Sequence, residues 1–198
     1  QREMKKRLGV GADTIGTLRY ASVFAMETLA RWVPTTPDLE AKVDICQNAI
    51  ELAQILGIEK PKVAILSAAE TVNPKIPGSI DAAALCKMAE RGQIVGGSHE
   101  WSRGFGNAIS AEAARTMHSV SRVAGQSDIL LVPDPEAGNM VAKQLQYLAG
   151  ADAAGIVLGT RVPIVLTSRA DNVRTRLASA AVMALVAHDR RAKLLPKG

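Results

Sequence analysis

Apolar and polar positions along the chain follow two periods in alternation. After Pro37 and Asp38, which suit a helix start, Val43, Cys46, Ile50, Ala53 and Leu56 recur at helical spacing up to Gly57. "KVAILS", at 62–67 behind Pro61, is a continuous β-prone run and reads as a buried strand. "NPKIPGS" reads as a loop, and 79–90 as a helix with Ser79 and Asp81 near its start. "GQIVGG" reads as a short strand closing on glycines, "NAISAEAARTMH" as one helix, and "DILLVP" at 128–133 as a second buried strand. "EAGNMVAKQLQYLAG" predicts a helix ended by Gly150. "AAGIVLG" and "VPIVLT" predict two more strands, and the last helix runs from about Asp171 to Ala187. Residues 1–36 carry no comparable pattern; "GVGADTIG" is glycine-rich without the spacing of a dinucleotide loop.

Strand runs that are apolar throughout, alternating with helices, predict an α/β fold on a mainly parallel sheet. Composition agrees. Hydrophobic residues make up 47% of the 198-residue chain but aromatics only 3%, so Ala, Val, Ile, Leu and Met must build the core. The formal charge of +5 favours an anionic ligand. Its basic residues are scattered, with small clusters at Lys5-Lys6-Arg7 and Arg190-Arg191, and no run is interleaved with aromatics, so no nucleic-acid partner is expected. Cys46 and Cys86 sit in apolar helical patterns and are expected as buried free thiols. His99, His118 and His188 have no metal-ligand spacing, and no metal is expected. No apolar stretch is long enough to span a bilayer and no secretory signal opens the chain, so the expectation is a cytoplasmic protein without a membrane partner. A first residue that is Gln rather than Met suggests truncation.

Ligands of parallel α/β sheets sit outside the carboxyl ends of the strands. Three exits therefore matter. In "TSRAD", Ser168-x-x-Asp171 matches a capping box. A cap leaves Arg169 unexplained, whereas an anion beside the positive end of a helix would explain both. In "PDPEAGNM", a tight turn and helix start compete with a ligand role for Asp134, Gly138 and Asn139, with backbone approaching the ligand at Gly138. In "SAAETVNPKIPGS", Glu70 and Asn73 are candidates beside an ordinary-loop reading.

Several blocks in order resemble the phosphate acetyl/butyryl transferase family: "KVDICQNAIELA", "VAILSAAETVNPKIP", "DAAALCKMAERGQIVGG", "DILLVPDPEAGNMVAKQLQYLAGADAAGIVLG" and "VPIVLTSRAD". They are most similar to its phosphate butyryltransferase branch and to the transferase part of hydratase–transferase fusions. The resemblance implies a two-domain, parallel-sheet fold like the isocitrate and isopropylmalate dehydrogenases, and a homodimer. It implies reversible transfer of an acetyl or short-chain acyl group between coenzyme A and inorganic phosphate, with acyl-CoA and phosphate as substrates and no permanently bound cofactor. The family's Ser-Arg pair falls on Ser168 and Arg169. Arg169 would hold phosphate or the carbonyl oxyanion, Ser168 would hydrogen-bond the CoA thiol, and Asp171 is a candidate base.

On family order, 1–24 is a poorly matching remnant of the first domain, 25–155 an inserted α/β domain that carries the dimer contacts, and 156–198 the return to the first domain. The N-terminal half-domain is expected to be truncated. The stretch "SHEWSRGFGNA" departs from the family pattern, and Pro135 stands where Leu is usual. A rewritten 98–106 loop is expected to alter or disable the acyl pocket. The alternative reading is a catalytically degenerate homologue acting as a dimerisation or binding module. An NAD-linked decarboxylating dehydrogenase ranks last, because Asp134 and Asp171 are isolated and that chemistry needs clustered aspartates.

Overall fold

The computed structural model of the protein describes residues 37–118 and 125–194, and of 99–103 the backbone only. The 1–24 segment assigned above lies outside them. Helix α1 (Leu39–Ile55) starts where Asp38 caps it, its carboxylate accepting from Ala41 N–H at 2.9 Å. The chain continues through β1 (Lys62–Leu66), α2 (Pro77–Glu90), β2 (Ser98–Arg103), α3 (Phe105–Ile109), α4 (Ala111–Thr116), β3 (Ile129–Leu131), α5 (Pro135–Tyr147), β4 (Ile156–Val157), β5 (Ile164–Val165) and α6 (Val173–Leu194).

The three longer strands form one parallel sheet in the order β2-β1-β3. Val63 pairs with His99 on one side and Ile129 on the other, and the β1–β2 register slips between Ala64 and Leu66. At the amino edge the Asp128 carboxylate accepts from Lys62 N–H at 2.9 Å, and Lys62 O accepts from Asp128 N–H at 2.9 Å. Period-two alternation then divides the apolar side chains between the faces. Val63, Ile65, Ile129 and Leu131 join the large core with α1, α2, Leu158, and Leu185 and Val186 of α6. Ala64, Leu66 and Leu130 join a smaller cluster with Ala108 of α3. Ile50, Leu85 and Ile129 are each at most 1% exposed, and burying such side chains contributes roughly 1.5–3 kcal/mol apiece at the upper bound. Lys42, nearly buried on α1, meets Asp81 of α2 at 2.6 Å and so ties the two helices by a paired charge.

Four expectations need correction. "GQIVGG" is not a strand. Gly92 and Gly96 sit at φ 75° and 85°, and Val95 N–H donates to Gln47 Oε1 at 3.0 Å, so a side chain from α1 takes the bond a ladder would make. The strand is the next stretch, 98–103, so the rewritten segment expected as a loop is strand β2 running into α3. "NAISAEAARTMH" splits into two short helices, because Ser110 is extended (φ −119°, ψ 115°) and its Oγ caps α4 by accepting from Ala113 N–H at 3.2 Å. "VPIVLT" is neither parallel nor buried. It contributes only Ile164–Val165, antiparallel to β4, with Val162 66% and Leu166 44% exposed. Pro163 lacks a ladder donor, and the partner strand is two residues long.

Element limits also move. Pro77, at a first-turn position where its missing N–H is harmless, starts α2 inside the stretch expected as a loop. "DILLVP" is a strand only over Ile129–Leu131, α5 stops at Tyr147, and α6 extends to Leu194. Among the described residues no helix is long and apolar enough to cross a membrane.

Both cysteines are buried and neither is in a disulfide, as their apolar helical patterns implied. Burial, and then the nearby Cys86, push the Cys46 thiol from its ordinary value of 9.0 up to about 12. The unfolded thiol ionises first as pH rises, so stability falls progressively between pH 9.0 and about 12. Below pH 9 neither thiol should react with a water-soluble alkylating reagent until the chain is unfolded, and mass spectrometry of pulse-labelled protein checks this. Rapid labelling of folded protein would contradict the buried placement.

Candidate functional site

Because β1, β2 and β3 are parallel, their carboxyl ends share one edge. Ser67–Glu70, Gly104–Asn107 and Val132–Asp134 therefore leave the sheet side by side. Gly78, in the first turn of α2, packs at the same edge: a Cβ there would lie 3.7 Å from Pro133 Cβ and 3.9 Å from Ser67 Oγ. Glu70 is exposed, and its Oε1 accepts a hydrogen bond from Nδ2 of Asn107, which is 6% exposed. Asn73 lies in the turn before α2. Its Oδ1 accepts from Lys75 N–H at 2.9 Å, and its own N–H donates to the fully buried Ser79 Oγ at 2.9 Å.

Asp134 is the N-cap of α5. Its Oδ1 accepts from Ala137 N–H at 2.8 Å, and its carbonyl accepts from Gly138 N–H at 3.1 Å. Pro135 has no N–H, so among the first four α5 positions only the Glu136 amide is without a partner among the described residues. With the Asp134 carboxylate at the same end, this terminus is a poor cradle for an anion. Gly138 is buried, and Asn139 is exposed on the helix surface.

The third exit belongs to the second sheet. Ser168 N–H donates to Asp171 Oδ2 at 2.6 Å, Ser168 O accepts from Asp171 N–H at 3.1 Å, and Ser168 Oγ lies 3.4 Å from Ala170 N. Half of the expected capping box is thus present, but it closes a turn instead of starting the helix. The cap of α6 is Asn172, whose Oδ1 accepts from Thr175 N–H at 2.9 Å. The offset has a chemical result: the Val173 and Arg174 amides at the start of α6 are without partners among the described residues. Arg169 is exposed, and its guanidinium has no hydrogen bond or ion pair among the described residues. Arg174 pairs with Asp152 at 2.6 Å. Asp171 Oδ1 is uncommitted among the described residues.

The turn is built on close backbone packing. Leu166 N–H donates to Gly155 O at 3.0 Å, Gly155 N–H donates to Ser179 Oγ at 2.9 Å, and Ser179 Oγ donates to Thr175 O at 2.7 Å. This relay fastens β4, β5 and α6 just before Ser168.

The structure thus gathers Glu70, Asn73 and Asp134 at the parallel-sheet edge, and Ser168, Arg169 and Asp171 at the α6 turn. Among the described residues, no hydrogen bond or ion pair joins the two groups. Sequence reasoning overlooked Asn107 and Asn172. An Asn immediately before the first helical Val was a readable cap signal, obscured by the S-x-x-D motif four residues upstream. No local pattern distinguished Asn107. Among the described residues, no three of His, Cys, Asp and Glu are grouped so as to hold a metal ion.

The family profile described as phosphate acetyl/butaryl transferase matches residues 22–184. A phosphate acetyltransferase from Rhizobium meliloti is 67% identical over 156 residues, covering 79% of this chain and 49% of that protein. A phosphate butyryltransferase from Clostridium acetobutylicum is 42% identical over 185 residues, covering 90% of this chain and 62% of that protein. The crystal structure of a branched-chain phosphotransacylase from Enterococcus faecalis V583 superposes with a TM-score of 0.70 at 34% identity, over 78% of this chain and 55% of that one. A phosphotransacetylase from Staphylococcus aureus, 20% identical, shares the fold with a TM-score of 0.63 over 78% of this chain and 47% of that one. The chain spans about half the length of the curated relatives it matches.

Proposed function

The chain belongs to the phosphate acetyl/butyryl transferase family, and from that membership we propose that it serves reversible transfer of an acetyl or short-chain acyl group between coenzyme A and inorganic phosphate. The observation that carries this reading is the 67% identity to a phosphate acetyltransferase across a span that includes 79% of the chain.

In the forward direction a phosphate oxygen attacks the thioester carbonyl. The C–S bond breaks, and the departing thiolate takes a proton. Negative charge builds on the carbonyl oxygen and on the phosphate. Arg169 supplies a planar, uncommitted guanidinium for either, and the unpartnered Val173 and Arg174 amides add the positive end of α6. Ser168 hydrogen-bonds the thiol or thiolate sulfur. Asp171 spends Oδ2 on the turn, which leaves Oδ1 to receive a proton. Glu70, Asn73, Asp134, Gly138 and Asn139 are assigned to the rest of the substrate site. Asp134 and Asn73 act there chiefly by holding backbone.

The same reading gives a two-domain arrangement like the isocitrate and isopropylmalate dehydrogenases, with 25–155 as the inserted domain and 156–198 returning to the first domain. It gives a cytoplasmic homodimer that uses acyl-CoA and phosphate. Its test is CoA- and phosphate-dependent interconversion of acetyl-CoA and acetyl phosphate, with butyryl-CoA alongside, in the polypeptide of full natural length. Turnover with either thioester is the expected result. A folded protein that binds CoA without turnover would favour the degenerate-homologue reading, toward which the departures at 98–106 point.

A further inference from the structure

The side chain of Arg176, one helical turn into α6, reaches back to the Ser168–Asp171 turn. Its Nε donates to Asp171 O at 3.2 Å and its Nη2 to Arg169 O at 3.4 Å. These are main-chain acceptors immediately behind the two charged side chains of the turn. A trans peptide is planar, so holding one carbonyl sets the whole plane and the torsions on either side of it. Two planes are set here, 169–170 and 171–172. Ser168 N–H, bound to Asp171 Oδ2, pins the near end of the same turn.

The cations around this turn divide by role. Arg174 is committed to Asp152 at 2.6 Å. Arg169 is committed to nothing among the described residues. Arg176 is committed to backbone, and both its donors point to carbonyls of the segment that carries Arg169. A lysine could not do this, because a single ammonium cannot span two carbonyls two residues apart with a fixed fork.

We propose that Arg176 is a positioning residue for acyl transfer: by fixing the 169–170 and 171–172 peptide planes it sets the point from which Arg169 reaches the anionic substrate. This rests on the reading of the 168–171 turn as part of a phosphate acyltransferase site. Arg176 touches no reacting atom. Its removal acts through the geometry of Arg169, so the loss appears in turnover and not in ground-state capture of acyl-CoA.

The test compares wild type, Arg176→Lys and Arg176→Ala in two measurements. Hydrogen exchange is followed at the amides of 168–172 in this chain, together with the melting temperature. Arg176→Ala exchanges about tenfold faster there while the melting temperature stays put, since the residue is exposed and the expected scale is that of two modest hydrogen bonds. In the acyl phosphate assay on the polypeptide of full natural length, kcat falls about tenfold or more in both variants with KM for acyl-CoA little changed. Added guanidinium ion partly restores Arg176→Ala. Unchanged exchange, or a kcat equal to wild type in Arg176→Ala, overturns the assignment. A wild type that exchanges as expected but turns over no thioester overturns the acyltransferase reading instead, while the exchange result still decides whether Arg176 holds the turn.

Discussion

On the proposed function, replacing Arg169 by lysine should lower the rate of acyl phosphate formation on the order of a hundredfold or more and leave the melting temperature where it was. The size follows from the loss of an oxyanion-type donor, which elsewhere costs about 2.7–4 kcal/mol in the barrier. Lysine keeps the charge but offers no planar fork, so phosphate and carbonyl oxygen can no longer be gripped from two fixed directions. Folding is spared because Arg169 is exposed and its guanidinium carries no structural bond among the described residues. Capping of α6 falls to Asn172, so a catalytic loss at Arg169 cannot be a disguised helix-start defect. Rates and melting curves measured together on wild type and Arg169→Lys decide the matter. Equal activity in the variant would remove Arg169 from the mechanism.

Gly155→Ala should destabilise the β4–β5–α6 unit by about 3 kcal/mol or more and, on the proposed function, remove activity. A Cβ at this position would fall inside the van der Waals envelope of the Leu166 carbonyl oxygen and lie 3.3 Å from its carbon. The obstacle is backbone, which cannot rotate aside as a side chain can. Relieving it requires β5 to withdraw. That breaks the 3.0 Å bond from Leu166 to Gly155 and strains the 2.9 Å bond from Gly155 to Ser179. Ser168 and Arg169 lie two and three residues after Leu166 and would shift with it. Gly104→Ala is the matched control: nothing lies within 4 Å of its added Cβ, and stability should change by no more than about 0.5 kcal/mol. Chemical denaturation of the two variants checks the contrast, and a Gly155→Ala protein as stable as wild type would refute the close packing.

The parts of the fold legible in the sequence were those in which local propensity and burial agree. α1 carries a capping Asp, a helical apolar stripe and a terminating glycine, and it forms where expected. β1 and β3 are apolar on both faces and lie in a parallel sheet with helices beside it. The failures arise where a remote partner or a local device overrides the pattern. Val95 looks β-prone, but Gln47, remote in sequence, takes its amide. Ser110 looks compatible with a continuing helix, yet it caps a new one. Pro163 and the brevity of β4 keep "VPIVLT" from becoming an interior strand. At the candidate site, the Ser168–Asp171 hydrogen bond was readable as half of a capping box, whereas its place in a turn ahead of the Asn172 cap was not. The Asn107–Glu70 pair joins the exits of two different strands, and no sequence spacing encodes that meeting.

Strand β2 is made of the stretch expected to be a rewritten loop, yet it has its place beside β1. The reason is that a ladder is written in amides and carbonyls, which every residue but proline supplies in the same form. Ser98 to Arg103 can therefore exchange their side chains while Lys62↔Ser98 and Val63↔His99 stay in register. A proline within 98–103 is the exception, since it would withdraw an amide from the edge that faces β1 or leave a gap on the outer one.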